Sequence, residues 1–478
     1  QYASIYLKIA DIMYTNIVCF KKITFIILLF IFFLFCPNVT FAKEESLLPV
    51  VTVINPIRGK ELGHERDDLL LSLKAQWRAI ENMNVNATWL WQYTALEDDG
   101  MVNFAKENMK DQEYGIFLEI DRNHAAKSKV LYRGQGPWYF SDGLLLTSYD
   151  INERKKLIDS VFILFKHKFG YYPKTVGAWW IGADSLNYMH DKYGVIPAMK
   201  AADQFDLDVY SIWGGPWSIP YLSSKENEEI PADSFDKSSK VVILQWAPRD
   251  PLRGYKDAMF SLQDFSINGY DFSYPEFIGS IYLKKPFDNL NIGIENGGDF
   301  QHFDSYYKDK LSFVKKIESE HKLSILSVKD YANLFLSRKK VFANSDVNYF
   351  LSKDYQSEDQ SFWYHSPNFK AGIQKIGENI YLIDLRDYSA KVEEDFSLVP
   401  NSQGYLRITT PAIIDSMRFP KQKILLANSS DFLQITINGE NISLLSGKKT
   451  IANFNKSSLE IFYDKNKSKI FNFNKKIS

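Results

Sequence analysis

The chain has 478 residues, of which 45% are hydrophobic and 24% are charged, and its formal net charge is -1. This length supports a large hydrophobic core and about two domains, and the near-neutral charge excludes a sequence-wide basic field that would recruit nucleic acid. Its two cysteines, Cys19 and Cys36, both fall in the N-terminal leader described next. The remaining chain is therefore expected to hold neither a disulfide framework nor a thiolate metal site.

The N-terminal segment has the pattern of an export signal. Lysines at 21–22 precede an apolar run at 23–36, and small residues flank a cleavage position at 40–42. The run is shorter than the roughly 20 residues that span a bilayer, so residues 1–42 are predicted to be a cleaved leader. An uncleaved leader that retains the protein at the membrane is the alternative. Met13 is the expected translation start, and the localisation is predicted to be secreted or in the cell envelope, as for an exported bacterial protein.

Apolar runs of strand length alternate with amphipathic segments through the first two thirds of the chain. The predicted strands cover residues 47–54, 87–91, 114–120, 175–181, 195–199, 209–213, 241–246, 290–294 and 323–328. The predicted helices cover residues 67–82, 101–109, 151–168, 185–194 and 306–321. This alternation predicts a (β/α) barrel of seven or eight units over residues 43–341, a fold that carries its chemistry at the carboxyl ends of the strands.

The segment at 133–149 interrupts this alternation. It contains Gly134, Gly136, Pro137 and Gly143, which are typical of a loop. Because long loops inside compact domains tend to be functional, we expect it to form a lid over the end of the third strand.

From about residue 342 the pattern changes to short alternating runs. They lie at 380–385, 405–408, 423–427, 432–437 and 459–463, with a turn signal at Asn438-Gly439. The chain therefore falls into α/β and all-β parts, and residues 342–478 are predicted to form a C-terminal β-sandwich domain with an accessory role.

Five motifs in the predicted barrel resemble those of a known superfamily. They are F-L-E-I-D-R-N-H at 117–124, a helix with Glu153, G-Y-Y-P-K-T-V-G-A-W-W at 170–180, K-Y-G at 192–194 and L-S-V-K-D-Y at 326–331. Their order and spacing resemble the glycoside hydrolase/deacetylase superfamily, in particular its polysaccharide deacetylase (NodB-like) barrel. The resemblance covers about 60% of the chain and implies an enzyme that acts on a polysaccharide or glycan.

The metal-binding motifs of the deacetylases in that superfamily are missing. Those enzymes hold a metal with an aspartate pair on the first strand and an H-x-x-x-H motif, whereas this chain has N-P-I-R at 55–58 and no such histidine pair. We therefore expect no cofactor. A divalent metal at His64, Asp121 or His124 stays open, and with it a metal-dependent deacetylase with an atypical site.

The superfamily also contains retaining glycosidases that use two carboxylates, one after the fourth strand and one on the seventh. The resemblance places Asp184 in the first role and Glu295 in the second, with Glu119 as another candidate nucleophile. Cleavage of a glycosidic bond needs one carboxylic acid to protonate the leaving oxygen and one carboxylate to attack or to activate water. Glu295 is thus the predicted general acid/base, and Asp184 or Glu119 the nucleophile.

Six further residues are candidates for substrate binding because they follow strands or lie near strand ends. They are Trp180, Trp217, Trp246, Asp203, Asp121 and Asp299. Tryptophan faces suit the C–H faces of sugar rings, and carboxylates accept hydrogen bonds from sugar hydroxyls.

Each candidate acid also has a purely structural interpretation. Asp184 can serve as a helix N-cap, Glu119 can point inward and pair with Arg58, and Glu295 can belong to a turn only. The predicted function is glycosidic-bond hydrolysis. The alternative is a non-catalytic barrel that binds glycan or supports an envelope assembly, and it predicts strand-tip carboxylates that are far apart or bound to arginines.

Overall fold

The structure is a computed structural model that describes residues 48–257, 260–262, 273–284, 288–342, 347–389, 392–463 and 467–473. The predicted leader lies outside these residues and stays a prediction. Among the helices in the described ranges, none combines the length and the apolar character needed to cross a bilayer.

The first part of the chain builds a curled, mostly parallel sheet. Its strands in chain order are β1 (Val50–Ile57), β2 (Ala87–Trp91), β3 (Glu113–Phe117), β4 (Val176–Gly177), β5 (Pro197–Ala201), β8 (Tyr221–Ser224), β9 (Ser238–Trp246), β10 (Asn289–Gly293) and β11 (Ser324–Ile325). Between β5 and β8 the chain forms β6 (Gln204–Leu207) and β7 (Tyr210–Trp213), which belong to a separate small sheet. The sheet order is β10-β1-β2-β3-β4-β5-β9-β8, with β11 also on β1, and only β8 runs antiparallel to its neighbour. The predicted (β/α) barrel is thereby confirmed.

Helices connect these strands. They are α1 (Leu69–Met83), α2 (Tyr93–Glu97), α3 (Asp99–Asn108), α4 (Arg122–Lys127), α5 (Ser141–Leu144), α6 (Ile151–Phe169), α7 (Ala183–Tyr193), α8 (Ser273–Tyr282), α9 (Gly298–Ser319) and α10 (Val328–Phe342), with 3-10 turns at Leu146–Ser148 and Pro420–Gln422. The best-specified boundaries are those of α6. Asp150 and Glu153 form a capping box at its start, and Gly170 adopts a left-handed conformation (φ 88°) at its end.

Both faces of the sheet are buried, as a parallel barrel requires. Along β1, Val51 and Val53 pack in the layer beneath the helices, whereas Val50 and Ile54 join the apolar filling of the barrel interior. The sheet curls until β9 approaches β10, where the amide of Asn291 donates a hydrogen bond of 2.8 Å to the backbone oxygen of Gln245. This curl brings the carboxyl ends of β1, β3, β4, β9 and β10 around one opening.

The C-terminal part is all-β. Its strands are β12 (Asn348–Lys353), β13 (Gln360–His365), β14 (Phe369–Ile376), β15 (Asn379–Asp387), β16 (Leu406–Thr409), β17 (Ala412–Asp415), β18 (Ile424–Asn428), β19 (Leu433–Asn438), β20 (Asn441–Ser446), β21 (Lys449–Asn455), β22 (Ser458–Tyr463) and β23 (Lys467–Asn472). A sheet β12-β13-β14-β15-β17, with β18 on β15, and a second sheet β19 to β23 share one apolar core. The sandwich-like part is confirmed, while the domain boundaries at 42/43 and 341/342 stay predictions.

One predicted barrel strand belongs elsewhere. The run at 209–213 forms β7, which pairs with β6 and, in parallel, with β16 of the C-terminal part. Local apolar character marked β7 as a strand, but its partner is almost 200 residues away in sequence, so only the tertiary structure could assign its sheet.

Buried charges also join the C-terminal sheet to the barrel. Lys370 of β14 lies 3.0 Å from Asp203, which follows β5, and 3.4 Å from Asp384 of β15. Arg386 contacts Asp384 at 2.6 Å and Asp415 at 3.3 Å. Because these side chains are almost completely buried, each charge depends on its partners for stability.

Candidate functional site

A cleft of about 590 Å³ opens at the carboxyl ends of the barrel strands. Its lining includes Arg58 after β1, Trp179 after β4, Trp246 at the end of β9 and Glu295 after β10. These positions are separated by up to 237 residues in sequence, and the curl of the sheet brings them together. The cleft therefore lies where a parallel barrel places its chemistry.

Arg58 organises the base of this cleft. Its Nε donates to Oε2 of Glu119 at 2.7 Å, and its Nη2 donates to Oε1 of the same carboxylate at 2.6 Å. The indole Nε1 of Trp179 donates a further hydrogen bond of 2.7 Å to Glu119 Oε1. Glu119 is completely buried and accepts hydrogen bonds at both oxygens, so the structural interpretation of Glu119 as the partner of Arg58 is confirmed.

Glu295 meets the same guanidinium from the cleft side. Arg58 Nη1 donates to Glu295 Oε2 in a close contact. Glu295 lines the cleft, whereas Glu119 lies beneath Arg58 and does not. The guanidinium of Arg58 thus contacts two carboxylates and orients Glu295 at the cleft surface.

The rest of the cleft is strongly aromatic. Trp138 and Tyr139 come from the loop at 133–149, remain 38% and 42% exposed, and line the opening. The rings of Trp179 and Trp246 are nearly parallel, with 5.9 Å between their centroids. Trp246 was predicted to be a cleft residue and is found there, and the loop predicted as a lid contributes to the same wall. The exposed rings of Trp138 and Tyr139 offer flat faces that are suited to sugar stacking.

The hairpin between β6 and β7 forms a strained edge of the cleft. Asp206, Asp208 and Val209 all have positive φ angles, of 53°, 50° and 61°. Such angles are unfavourable for a β-branched residue such as Val209, and backbone strain of this kind concentrates at functional sites. Asp208 and Val209 line the cleft. Asp208 was not predicted from the sequence, because neighbouring residues do not indicate the positive φ of this turn. The turn precedes β7, which pairs with the distant strand β16.

Tyr210, also in the lining, supports the loop at 133–149. Burial raises the pKa of its hydroxyl well above the usual value, so the group remains protonated. It donates a hydrogen bond of 2.8 Å to the backbone oxygen of Tyr139. This contact holds the aromatic loop against β7.

Two of the predicted cleft tryptophans lie in the interior instead. Trp180 is completely buried, and Lys200 Nζ lies 5.0 Å from its ring centroid. Trp217 is also completely buried and packs against both Tyr255 and Trp363, with centroid distances of 5.0 and 5.2 Å. Alternation along the strand turns Trp179 toward the cleft and its neighbour away from it, and Trp217 packs where the C-terminal sheet meets the barrel.

Two predicted acids also lie outside the lining of the cleft. Asp203 is buried against Lys370, and Gly214 donates its backbone N–H to Asp203. Asp184 lies in the first turn of α7, where Gly182 is the N-cap, and its Oδ2 accepts a hydrogen bond of 3.0 Å from Arg154. Both carboxylates are explained by ion pairs that sequence reasoning could not foresee, because their partners lie on other elements. The side chain of Asp299 falls outside the described part of the chain.

Comparison with solved structures decides what fold this is. A protein from Parabacteroides distasonis, provisionally assigned as a glycoside hydrolase/deacetylase, superposes with a TM-score of 0.52 and 15% identity over 78% of this chain and 92% of its own. The protein has the glycoside hydrolase/deacetylase fold. At this identity the likeness shows the fold and not the activity.

Other solved structures are more distant. The peptidoglycan deacetylase PdaC from Bacillus subtilis matches with a TM-score of 0.29 and 12% identity, over 62% of this chain and 96% of its own. This likeness is too weak to show a shared fold or function. No family model matches the sequence, and no curated protein matches it either.

The glycoside hydrolase/deacetylase fold raises the question of a metal site, which the residues present do not fit. His64 pairs with Asp67, with 2.7 Å between Nδ1 and Oδ2. Asp121 caps α4 by accepting from the backbone N–H of His124, and burial raises its pKa to about 7, which weakens it as a metal ligand. No group of three or more histidine, cysteine, aspartate or glutamate ligands occurs in the residues that the structure describes. At the tip of β1 the chain provides the guanidinium of Arg58 where the resemblance places a metal-binding aspartate.

His124 has a structural environment. Its ring stacks on Tyr93 with centroids 4.3 Å apart, and its Nε2 lies 3.0 Å from the backbone oxygen of Leu157. Burial lowers the pKa of His124 to about 4. The folded protein therefore holds this imidazole neutral, as a core residue does.

This pKa predicts acid sensitivity. Because the folded pKa lies below the unfolded value of about 6.5, the stabilisation is complete above pH 6.5 and is lost as the pH falls toward 4. Between pH 7 and pH 5, His124 is expected to remove about 2 kcal/mol from the free energy of unfolding. His124→Phe keeps the stacking on Tyr93 and cannot titrate. Urea unfolding at both pH values should show that this variant loses less stability than the wild type; equal losses would contradict the prediction.

Proposed function

We propose that the protein is a carbohydrate-active hydrolase that binds a glycan in this cleft and cleaves its glycosidic bonds, with Glu295 as the catalytic general acid/base. The observation that carries the proposal is the position of Glu295. It is a largely buried carboxylate at the tip of a barrel strand, oriented by Arg58, and it lines an aromatic cleft. The shared fold with glycoside hydrolase/deacetylase proteins is consistent with a carbohydrate substrate.

Hydrolysis needs a second carboxylate or an activated water opposite the acid. Glu119, a predicted nucleophile, accepts hydrogen bonds from Arg58 and Trp179, and these contacts favour a positioning role. Asp184 is bound to Arg154 outside the cleft lining. Asp208 lines the cleft and is exposed, so it is the better candidate for the second carboxylate.

The second candidate function is glycan binding without catalysis. The observation that favours it is that Glu119 and Glu295 share the guanidinium of Arg58. Both carboxylates then act as hydrogen-bond acceptors of the protein itself, and the cleft serves recognition only. This arrangement is the one that the non-catalytic alternative predicts.

One experiment separates the two functions. The purified protein is incubated with a panel of neutral and acidic polysaccharides, and both bound ligand and new reducing ends are measured. Release of reducing ends supports the hydrolase, whereas saturable binding without release supports the binding protein. If no member of the panel is bound or cleaved, both proposals fail.

The aromatic wall should contribute strongly to binding in either case. Trp138→Ala is expected to weaken glycan affinity about 10-fold, because it removes an exposed stacking face without opening the core. Fluorescence titration measures the change. Tyr171→Ala is the matched control, since Tyr171 is equally exposed but does not line the cleft. Equal affinities for the Trp138 variant and the wild type would contradict sugar stacking at this wall.

A further inference from the structure

A second groove, of about 420 Å³, lies where the barrel meets the C-terminal sheet. One wall is the loop after β9, with Arg253 and Lys256, and the other is the sheet around Gln374, Tyr381 and Lys423. The amide of Gln374 donates a hydrogen bond of 3.2 Å to the backbone oxygen of Leu252 and so joins the two walls. The groove is therefore a built feature of the junction.

The charged lining of this groove is entirely basic. Arg253, Lys256 and Lys423 line it, and no acidic side chain does so in the part of the chain that the structure describes. Arg253 is neutralised by Asp354, with 2.5 Å between Nη2 and Oδ2. The two lysines are exposed, and the ion pairs of the described residues include neither of them. Two uncompensated positive charges thus face the same open groove.

Both lysines are held near the groove by contacts with the protein. Lys256 Nζ donates to the backbone oxygen of Met417 at 3.3 Å, which links the barrel loop to the sheet. Lys423 Nζ lies 4.3 Å from the centroid of the Tyr381 ring. These contacts restrict the lysines without removing their charge, so less entropy is lost when they meet an anion.

The groove is close to the main cleft along the chain. The loop after β9 contributes Ala247 and Arg249 to the cleft and Leu252 to the groove. Three residues span at most about 11 Å, so a polymer of a few sugar units that reaches the cleft is long enough to reach the groove.

We propose that this groove is a secondary binding site for the acidic segment of a polysaccharide, such as a run of uronic acid residues. The positive lining selects the anionic groups, and the amide of Gln374, with the ring of Tyr381, offers polar and flat contacts to the sugar. The proposal rests on the proposed function for the choice of a glycan over another polyanion. It adds an acidic substrate class and a binding site that is distinct from the cleft.

The test compares polygalacturonate with neutral dextran by affinity electrophoresis and calorimetry. The double variant Lys256→Gln/Lys423→Gln is expected to bind polygalacturonate about 10-fold more weakly than the wild type, with a smaller salt dependence. The matched control Lys308→Gln/Lys322→Gln removes two exposed lysines elsewhere and should bind like the wild type. Turnover of a short neutral oligosaccharide in the cleft should be unchanged in both variants.

Three results would overturn the inference. In the first, the wild type does not bind polygalacturonate. In the second, the groove variant and the control lose the same affinity for polygalacturonate. In the third, the wild type binds a single-stranded oligodeoxynucleotide of the same charge as tightly as it binds polygalacturonate. Failure of the proposed function gives a different result, because groove binding does not need Glu295. If no glycan is cleaved but the groove variant still binds polygalacturonate more weakly than the wild type, the inference stands and the hydrolase proposal is wrong.

Discussion

Replacing Glu295 with glutamine is expected to lower kcat by about 10²- to 10⁴-fold, because the amide keeps the shape of the side chain but cannot donate and regain a proton. The amide oxygen can still accept the hydrogen bond from Arg58, so the fold and the glycan affinity should change little. Initial rates of reducing-end release, together with fluorescence titration of bound glycan, measure the two effects separately. Loss of turnover with retained binding is the signature of a catalytic residue.

Two companion variants sharpen this experiment. Asp208→Asn should also lower kcat if Asp208 is the second carboxylate of the cleft. Glu320→Gln changes an exposed glutamate on the surface and should leave both kcat and affinity unchanged. Retained turnover in the Glu295 variant would contradict its assignment as the general acid/base.

Replacing Lys370 with methionine is expected to lower the free energy of unfolding by about 3–5 kcal/mol. Methionine fills most of the volume but leaves Asp203 and Asp384 without the cation that lies 3.0 and 3.4 Å away. Asp384 keeps Arg386 at 2.6 Å, but Asp203 loses its ion-pair partner, and an uncompensated buried carboxylate is costly. Chemical denaturation measured by circular dichroism checks the magnitude.

The pH dependence of this loss has a definite sign. Burial raises the pKa of Asp203 to about 6 even beside Lys370, so in the wild type the stabilisation linked to this carboxyl is present at low pH and falls as the pH rises from about 4 to 6. Without Lys370 the carboxyl is protonated up to higher pH. The deficit of the variant should therefore be larger at pH 8 than at pH 5.

A control and a rescue make the prediction specific to the buried pair. Lys353→Met removes a half-exposed lysine that pairs with exposed Glu358, and should cost less than about 1 kcal/mol. Asp203→Asn combined with Lys370→Met removes the carboxylate that loses its ion-pair partner and should recover part of the loss. A loss of unfolding free energy in Lys370→Met equal to that in Lys353→Met would contradict a shared buried ion pair. So would a double variant whose loss is larger than the sum of the losses of the two single variants.

The charged cluster of the cleft shows how far sequence reasoning reaches. Glu119 and Glu295 follow apolar strand runs, and both contact Arg58 at the carboxyl end of the barrel, whereas Asp184 and Asp203 pair with other residues. Which acid faces the cleft could not be predicted from the sequence. Glu295 lines the cleft, whereas Glu119 is buried because Arg58 and Trp179 both bind its carboxylate and cover it.

The tryptophans show the opposite limit. Trp179 and Trp180 are adjacent, equally apolar and at the same strand end, yet one lines the cleft and the other is in the interior. In sequence Trp217 has the same features as a cleft residue, but in the structure Trp363, 146 residues later, stacks on it. Residue type alone carries no information about such packing partners.

The sequence by itself determined the local elements and the order in which they build the fold. The capping box and Gly170 define α6, and the apolar run at Ala87–Trp91 defines β2, because neighbouring residues encode caps, periodicity and turns. Only the tertiary structure decided the sheet of β7, the partners of Asp184 and Asp203, and the place of Asp208 at the cleft. Those outcomes depend on contacts between residues that are far apart in sequence, and their energies arise from burial and charge pairing that exist only once the chain has folded.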